Sequence, residues 1–335
     1  MLDLQVNGFA GVDYNNPNLD VEEYEHSLQK MLATGVTACL PTLISASEDH
    51  LASCFNALEK ARRDSSLAQS MVLGYHLEGP FLSAESGYRG CHPPEAMRAG
   101  DLGFFDRLQE VAGGMIRMVT VAPEIEGVLP LIETLSSRGI IVSLGHTSAG
   151  LDQIRQATKA GAMLSTHLGN GTATMLSKHD NPILAQLSED RLSACFIADG
   201  YHLSKEQLQL YLRAKGLARS ILVTDATAAA GAVPGIYGLG SMELERQQEP
   251  VAFAPNTGRP AGSAVTLDQC VQNVINWFDL SLDEAISLAS HNPRKIMAME
   301  SPETDDPEHC VKWKKEDGRW KVVEAQCGAF SIQNQ

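Results

Sequence analysis

The 335-residue chain is 44% hydrophobic, enough for a large core, and carries 41 acidic against 26 basic side chains for a formal net charge of -15. That balance disfavours a nucleic-acid partner, because phosphate backbones are held by clustered Lys and Arg. No apolar run approaches the ~20 residues of a membrane span and no secretory leader precedes the first strand, so a soluble, cytoplasmic protein without a membrane partner is expected.

In chain order, residues 2–6 alternate as a strand and end at a Gly turn. Apolar runs at 37–43, 71–76, 116–121, 140–144, 163–167, 194–198 and 220–224 read as further strands. Amphipathic stretches such as 51–62, 151–160 and 205–214 lie between them as helices. Strands alternating with helices indicate parallel βα units, and eight of them close a (β/α)8 TIM barrel, an α/β fold. Residues 241–260 break the rhythm and read as an insertion near the barrel mouth. Helical periodicity returns at 267–278 and 282–289. Residues 310–315 and 320–324, joined by Glu316-Asp317-Gly318, read as a hairpin. The expected domains are a barrel over 1–300 and a small C-terminal β appendage over 301–335. The seven cysteines are scattered and form no C-x-x-C pair, which reads as reduced thiols.

Polar residues recur where these strands end, the face on which barrel active sites are built. Glu78 follows the third strand, and His146 and His167 end the fifth and sixth. Asp199 and His202 follow the seventh, and Asp225 ends the eighth. Two imidazoles and a carboxylate make a common catalytic zinc set that leaves one position open. A separate carboxylate can take a proton from water and return it to a leaving amine. Glu78, His146 and His167 fit the ligand roles and Asp225 the acid/base role. Alone, each has a plainer reading: a hydrogen-bonded core histidine, a loop carboxylate, a helix cap. Asp199 reads as the anchor of an Asx turn, and His76 as a packed or supporting histidine.

The chain resembles the N-acetylglucosamine-6-phosphate deacetylases of the amidohydrolase superfamily. The motifs are D-L-Q-V-N-G at 3–8, H-L-E-G-P-F at 76–81, G-H-T at 145–147, T-H-L at 166–168, A-D-G-Y-H at 198–202, V-T-D-A at 223–226 and S-H-N-P at 290–293. The resemblance implies a metal-bearing barrel with a small β-sandwich built from both chain ends. It makes Glu78, His146 and His167 metal ligands and Asp225 the catalytic acid/base. It places His92 near the scissile acetamide, and His202, Asn170 and the Gly171 backbone on the sugar or its phosphate. Ala261, Gly262 and Ser263 would line the sugar pocket. The implied cofactor is a divalent metal ion, zinc first, with iron accepting the same donors.

Three departures shape the expectations. Gln5 and Asn7 stand where the superfamily has paired histidines, which implies one ion per chain. The family's arginine after T-H-L, contributed by a neighbouring subunit to the phosphate, is absent; Lys178 or His179 would replace it across a homodimer interface. The chain starts at the first barrel strand, so the sandwich is expected to be incomplete here, reduced to the hairpin or completed by upstream residues. The implied activity is hydrolysis of N-acetylglucosamine 6-phosphate to acetate and the amino sugar phosphate. The alternatives are a different N-acetylated sugar or amide lacking the 6-phosphate, and a non-catalytic barrel scaffold.

Overall fold

The computed structural model describes residues 1–254, 260–299 and 309–334. Eight strands follow in chain order: β1 (Leu2–Val6), β2 (Ala38–Ile44), β3 (Tyr75–Glu78), β4 (Ile116–Val121), β5 (Ile141–Leu144), β6 (Leu164–Ser165), β7 (Ser193–Phe196) and β8 (Ser220–Leu222). Each pairs in parallel with the next. Helices cover the outside, so the strands are buried on both faces. Every residue of β1 and β2 is buried, as parallel barrel strands require. The helices begin at side-chain caps such as Asp20, Ser47, Asn181 and Ser204, which satisfy their first free N–H groups.

The barrel closes through the segment after β8. Asp225 N–H donates to Gln5 O at 3.0 Å and Asn7 N–H to Ala226 O at 2.7 Å. Val6 and Ala226 form a parallel bridge. The seam between first and last strand therefore lies within a residue or two of the candidate acid/base.

The strand ends differ from expectation for two reasons. Residues 66–71 form a helix capped by Ser65, so β3 begins at Tyr75 rather than 71. β6 and β8 stop two residues early, at Ser165 and Leu222, ahead of His167 and Asp225, which with His146 adopt positive φ of 25°, 49° and 49°. A left-handed residue cannot continue a ladder, and it turns its side chain into the mouth.

The described residues of the stretch read as an insertion near the barrel mouth belong to an antiparallel sheet of β9 (Gly235–Leu239), β10 (Met242–Arg246), β11 (Val251–Phe253) and β12 (Pro260–Ser263). It caps the mouth over a small separate core of Leu239, Leu244, Ala252, Ala261, Ala229 and Ile44. One face stays wet, so its sequence carries Gln, Glu and Gly and hides the strand pattern. The C-terminal hairpin forms, with Asp317 and Gly318 both at positive φ, as an Asp-Gly turn favours. A third strand extends it: β13 (Val311–Glu316), β14 (Arg319–Cys327) and β15 (Phe330–Gln333). Val322, Ala325 and Cys327 join the main hydrophobic cluster, and the Cys327 thiol reaches Thr37 O just before β2. This sheet thus packs on the barrel's base, away from the mouth. Residues 301–308 of the expected appendage lie outside the described residues. Among the described residues no helix is long and apolar enough to cross a membrane.

Asp3 on β1 is fully buried. Its Oδ1 accepts from Gln5 N and Thr224 N, and its Oδ2 accepts from the Thr224 hydroxyl at 2.6 Å. Burial raises its carboxyl to about 7, against the opposing bonds from Thr224 and Gln5. The unfolded group titrates near ~4. Stability from holding this acid neutral is thus fully present below that value and lost as pH rises through about 7. Asp3→Asn removes the charge and keeps one acceptor. Urea unfolding should show the variant gaining on wild type between pH 4 and 8, by up to a few kcal/mol, on the order expected from linkage. A difference that stays constant across that range would refute the assignment.

Candidate active site

Glu78 closes β3 and points into the barrel at 2% exposure. Its Oε1 lies 3.0 Å from Gln5 Nε2, 3.0 Å from His167 Nε2 and 3.5 Å from His146 Nε2. Its Oε2 lies 3.7 Å from His92 Nε2. Burial alone would push this carboxyl up. The His146 and His167 nitrogens outweigh it and hold Glu78 well below the usual carboxylate range. Four groups that can hold a charge or a proton thus converge on one buried point. An uncompensated charge there would cost several kcal/mol.

The hydrogen-bond partners sort the imidazoles. His146 Nδ1 sits 2.8 Å from the Tyr88 carbonyl, which can only accept, so Nδ1 carries the proton and Nε2 presents a lone pair. His92 is the reverse. The Ser45 N–H donates to its Nδ1, and the Ser45 hydroxyl approaches the same nitrogen at 2.9 Å. The remaining proton is therefore on Nε2. Burial, then the adjacent His146, pushes His92 down to about 3, so it is neutral near pH 7.

Glu78, His92 and His146 offer ligand atoms within 4.8 Å of one another, and His167 Nε2 comes within 3.2 Å of His146 Nε2. A tetrahedral ion with bonds of about 2.0–2.2 Å sets its donors about 3.3–3.6 Å apart. The Glu78, His146 and His167 separations of 3.0, 3.2 and 3.5 Å lie at or slightly inside that spacing. Two imidazole nitrogens at 3.2 Å also need a proton or a cation between them. Buried His167 Nδ1 has no hydrogen-bond partner among the described residues. The donor set fits a divalent metal ion.

Asp225 stands opposite, 9% exposed. Asn7 Nδ2 donates to its Oδ1 at 2.7 Å, whereas Oδ2 receives no hydrogen bond from the described residues. Burial raises this carboxyl to about 6, with Glu78 adding and His167, His202 and Asn7 opposing. Asn7 Oδ1 is buried and unpartnered. Gln5 and Asn7 thus serve as amide donors to the two carboxylates, roles that the sequence reading did not give them.

These groups floor a cavity of about 880 Å3. Its wall includes His92, Asn170, Gly171, His202, Ala261 and Gly262, all expected there, and Arg89 and Tyr201, which were not. Asp199 does anchor a turn: its Oδ1 accepts from Tyr201 N and His202 N, and its Oδ2 accepts from His202 Nδ1 at 2.6 Å. Ser263 is not on the wall; its hydroxyl donates to Thr224 O and ties the cap sheet to the barrel seam. Lys178 and His179 are exposed and do not line the cavity of their own chain. The 177–181 stretch turns away because Asn181 caps the following helix and Asp180 accepts from Leu151 N. His76 lies beneath the site, within 2.7 Å of the Thr120 hydroxyl, and supports from below.

An eight-stranded barrel with this donor set at the C-terminal strand ends is the architecture of a metal-dependent amidohydrolase. No protein-family model matches the chain. It is 35% identical over 309 residues to N-acetylglucosamine-6-phosphate deacetylase of Danio rerio, covering 89% of this chain and 74% of that protein. It is 31% identical over 300 residues to N-acetylgalactosamine-6-phosphate deacetylase of Escherichia coli O157:H7, covering 89% and 77%. Its fold matches an aspartate-to-alanine variant of N-acetyl-D-glucosamine-6-phosphate deacetylase from Mycobacterium smegmatis, solved with N-acetyl-D-glucosamine-6-phosphate. That match has a TM-score of 0.89 at 27% identity, over 99% of this chain and 86% of the other. The chain belongs to the N-acetylglucosamine-6-phosphate deacetylase family.

Gly171 bears directly on His146. Its φ is +58°, and a Cβ there would lie 2.5 Å from His146 Nδ1. If His146 is a metal ligand, Gly171→Ala should push the ring off the Tyr88 carbonyl and weaken metal binding by about 10–100-fold, as loss of a ligand's supporting bond does. Competition with a chelator measures this; wild-type metal affinity in the variant would remove the argument.

Proposed function

We propose that this chain hydrolyses the acetamide of an N-acetylhexosamine 6-phosphate, releasing acetate and the amino sugar phosphate. The observation that carries the reading is the convergence of Glu78, His146 and His167 on one point opposite Asp225, at the floor of a cavity with room for a sugar phosphate. Membership of the deacetylase family supplies the substrate class.

Glu78, His146 and His167 would hold one divalent ion, zinc first, with ferrous iron accepting the same donors. A single ion is favoured because the Gln5 and Asn7 amides are already spent as donors to Glu78 and Asp225. His92, bearing its proton on Nε2, is a donor rather than a ligand. When bound, the ion supplies Lewis-acid polarisation of the acetamide carbonyl and lowers the pKa of water.

The residues then act in order. His92 Nε2–H donates to the carbonyl oxygen as charge develops there. Asp225 Oδ2 takes a proton from the attacking water as its oxygen bonds to the carbonyl carbon. It returns that proton to the amine nitrogen as the C–N bond breaks. Asn7 keeps Oδ1 occupied, so Oδ2 is the oxygen free for the transfer. Asn170, the Gly171 backbone and His202 would contact the sugar or its phosphate, with Ala261 and Gly262 against the ring. In a homodimer the exposed Lys178 and His179 would serve the neighbour's cavity. Seven free cysteines suit a reducing, cytoplasmic setting.

Acetate release should be fastest on N-acetylglucosamine or N-acetylgalactosamine 6-phosphate in a panel with their unphosphorylated forms. Absence of turnover on all four with the metal-loaded protein would end this reading. Asp225→Asn should retain metal and lose kcat by about 10²-fold or more. Near wild-type turnover would make Asp225 a structural group. Asn7→Ala should lower kcat by about tenfold, on the order of one lost hydrogen bond to a charged group, with KM little changed. A rise in KM alone would instead place Asn7 among the substrate contacts.

A further inference from the structure

The cavity wall holds two carboxylates, Glu78 and Asp225, in a chain of net charge -15, so an anionic substrate meets an unfavourable field on approach. A phosphorylated sugar needs a local cation. Among the described residues, Arg89 is the one Lys or Arg that lines the cavity. Several other described arginines are already engaged: Arg62, Arg98, Arg107, Arg138 and Arg191 each pair with a carboxylate. Arg89 pairs with none among the described residues. Its one side-chain bond runs from Nη1 to the His92 carbonyl at 3.2 Å. That contact roots the half-buried guanidinium and leaves its remaining N–H groups free.

The loop is rooted beside the site, with the Tyr88 carbonyl on His146 Nδ1, and its Arg89 side chain lines the cavity wall. Gly87, two residues before Arg89, packs on Ala173, where a Cβ would stand 3.0 Å from the Ala173 side chain. The loop carrying Arg89 and the loop carrying Asn170 and Gly171 therefore form one wall. The reacting acetamide lies at the floor, and on a hexose 6-phosphate the anion sits at the opposite end of the molecule.

We propose that Arg89 is an anion anchor supplied within the chain, binding the phosphomonoester of the substrate. The planar guanidinium offers paired donors to phosphate oxygens, which Lys cannot match. The proposal rests on the substrate class given above, and it makes the exposed Lys178 and His179 auxiliary.

The test uses the metal-loaded enzyme with N-acetylglucosamine 6-phosphate and N-acetylglucosamine as substrates and inorganic phosphate as a competitor. Arg89→Ala should raise KM for the phosphorylated sugar by about tenfold or more, the size expected for a lost charge-assisted bond. The loss in kcat/KM should be several-fold smaller on the plain sugar, and inhibition by phosphate should weaken in parallel. Arg89→Lys should recover part of the loss. Equal losses on both substrates, or none on either, would overturn the proposal while wild type still prefers the phosphorylated sugar. A wild-type enzyme indifferent to the phosphate would remove the substrate class itself, and the anchor with it.

Discussion

An ionised carboxylate at the centre of a barrel is the constraint on which the rest depends. Glu78 is almost wholly removed from water, yet it is held in its charged form. That is tolerable only if positive or donor groups surround it closely. Gln5 supplies an N–H, His167 and His146 close in from the next strand ends, and His92 faces the second oxygen. The demand propagates outward. His146 and His167 reach the point only by leaving strand geometry for positive φ, at a cost of order 1–2 kcal/mol each. Glycines at 90 and 171 must let the His146 ring lie against bare backbone.

The same economy links fold closure to chemistry. The barrel is sealed where Asp225 N–H meets Gln5 O and Asn7 N–H meets Ala226 O. The side chains of those residues hold the charged site together: Gln5 on Glu78, Asn7 on Asp225. Asp3 and Thr224 brace the seam one layer below, and Ser263 ties the cap sheet to it from above. A shift in register between β1 and β8 would therefore displace Asp225 and both amides at once. Rigidity at the seam keeps Asp225 Oδ2 aimed without a dedicated support of its own.

Hydrogen bonds at the back of each ring divide labour among chemically identical side chains. A carbonyl behind His146 makes it a lone-pair donor, whereas an N–H behind His92 makes it a proton donor. A carboxylate behind His202 fixes that ring at the wall. Away from this centre the molecule is simpler. The C-terminal sheet extends the apolar core at the barrel's base, while the cap sheet supplies the side of the cavity that the barrel cannot.

The residues alone determined the repeating architecture and the central charged set. Periodicities of two and of 3.6 are local, and cap residues such as Ser204 and Asn181 mark helix starts without reference to distant contacts. Glu78, His146, His167 and Asp225 were legible because each follows a strand, and parallel strands deliver their ends to one face. The cap sheet was not, since strands with one wet face dilute the pattern with Gly, Gln and Glu, and the third C-terminal strand escaped as well. Only the tertiary structure decided which loop side chains share the cavity. Lys178 and His179 follow the right motif yet turn outward with the cap of the next helix, while Arg89 folds in. It also decided the tautomers and the amide partners, because a ring's proton and an amide's direction depend on atoms that meet only after folding: Tyr88 and Ser45 behind the rings, Glu78 and Asp225 before the amides.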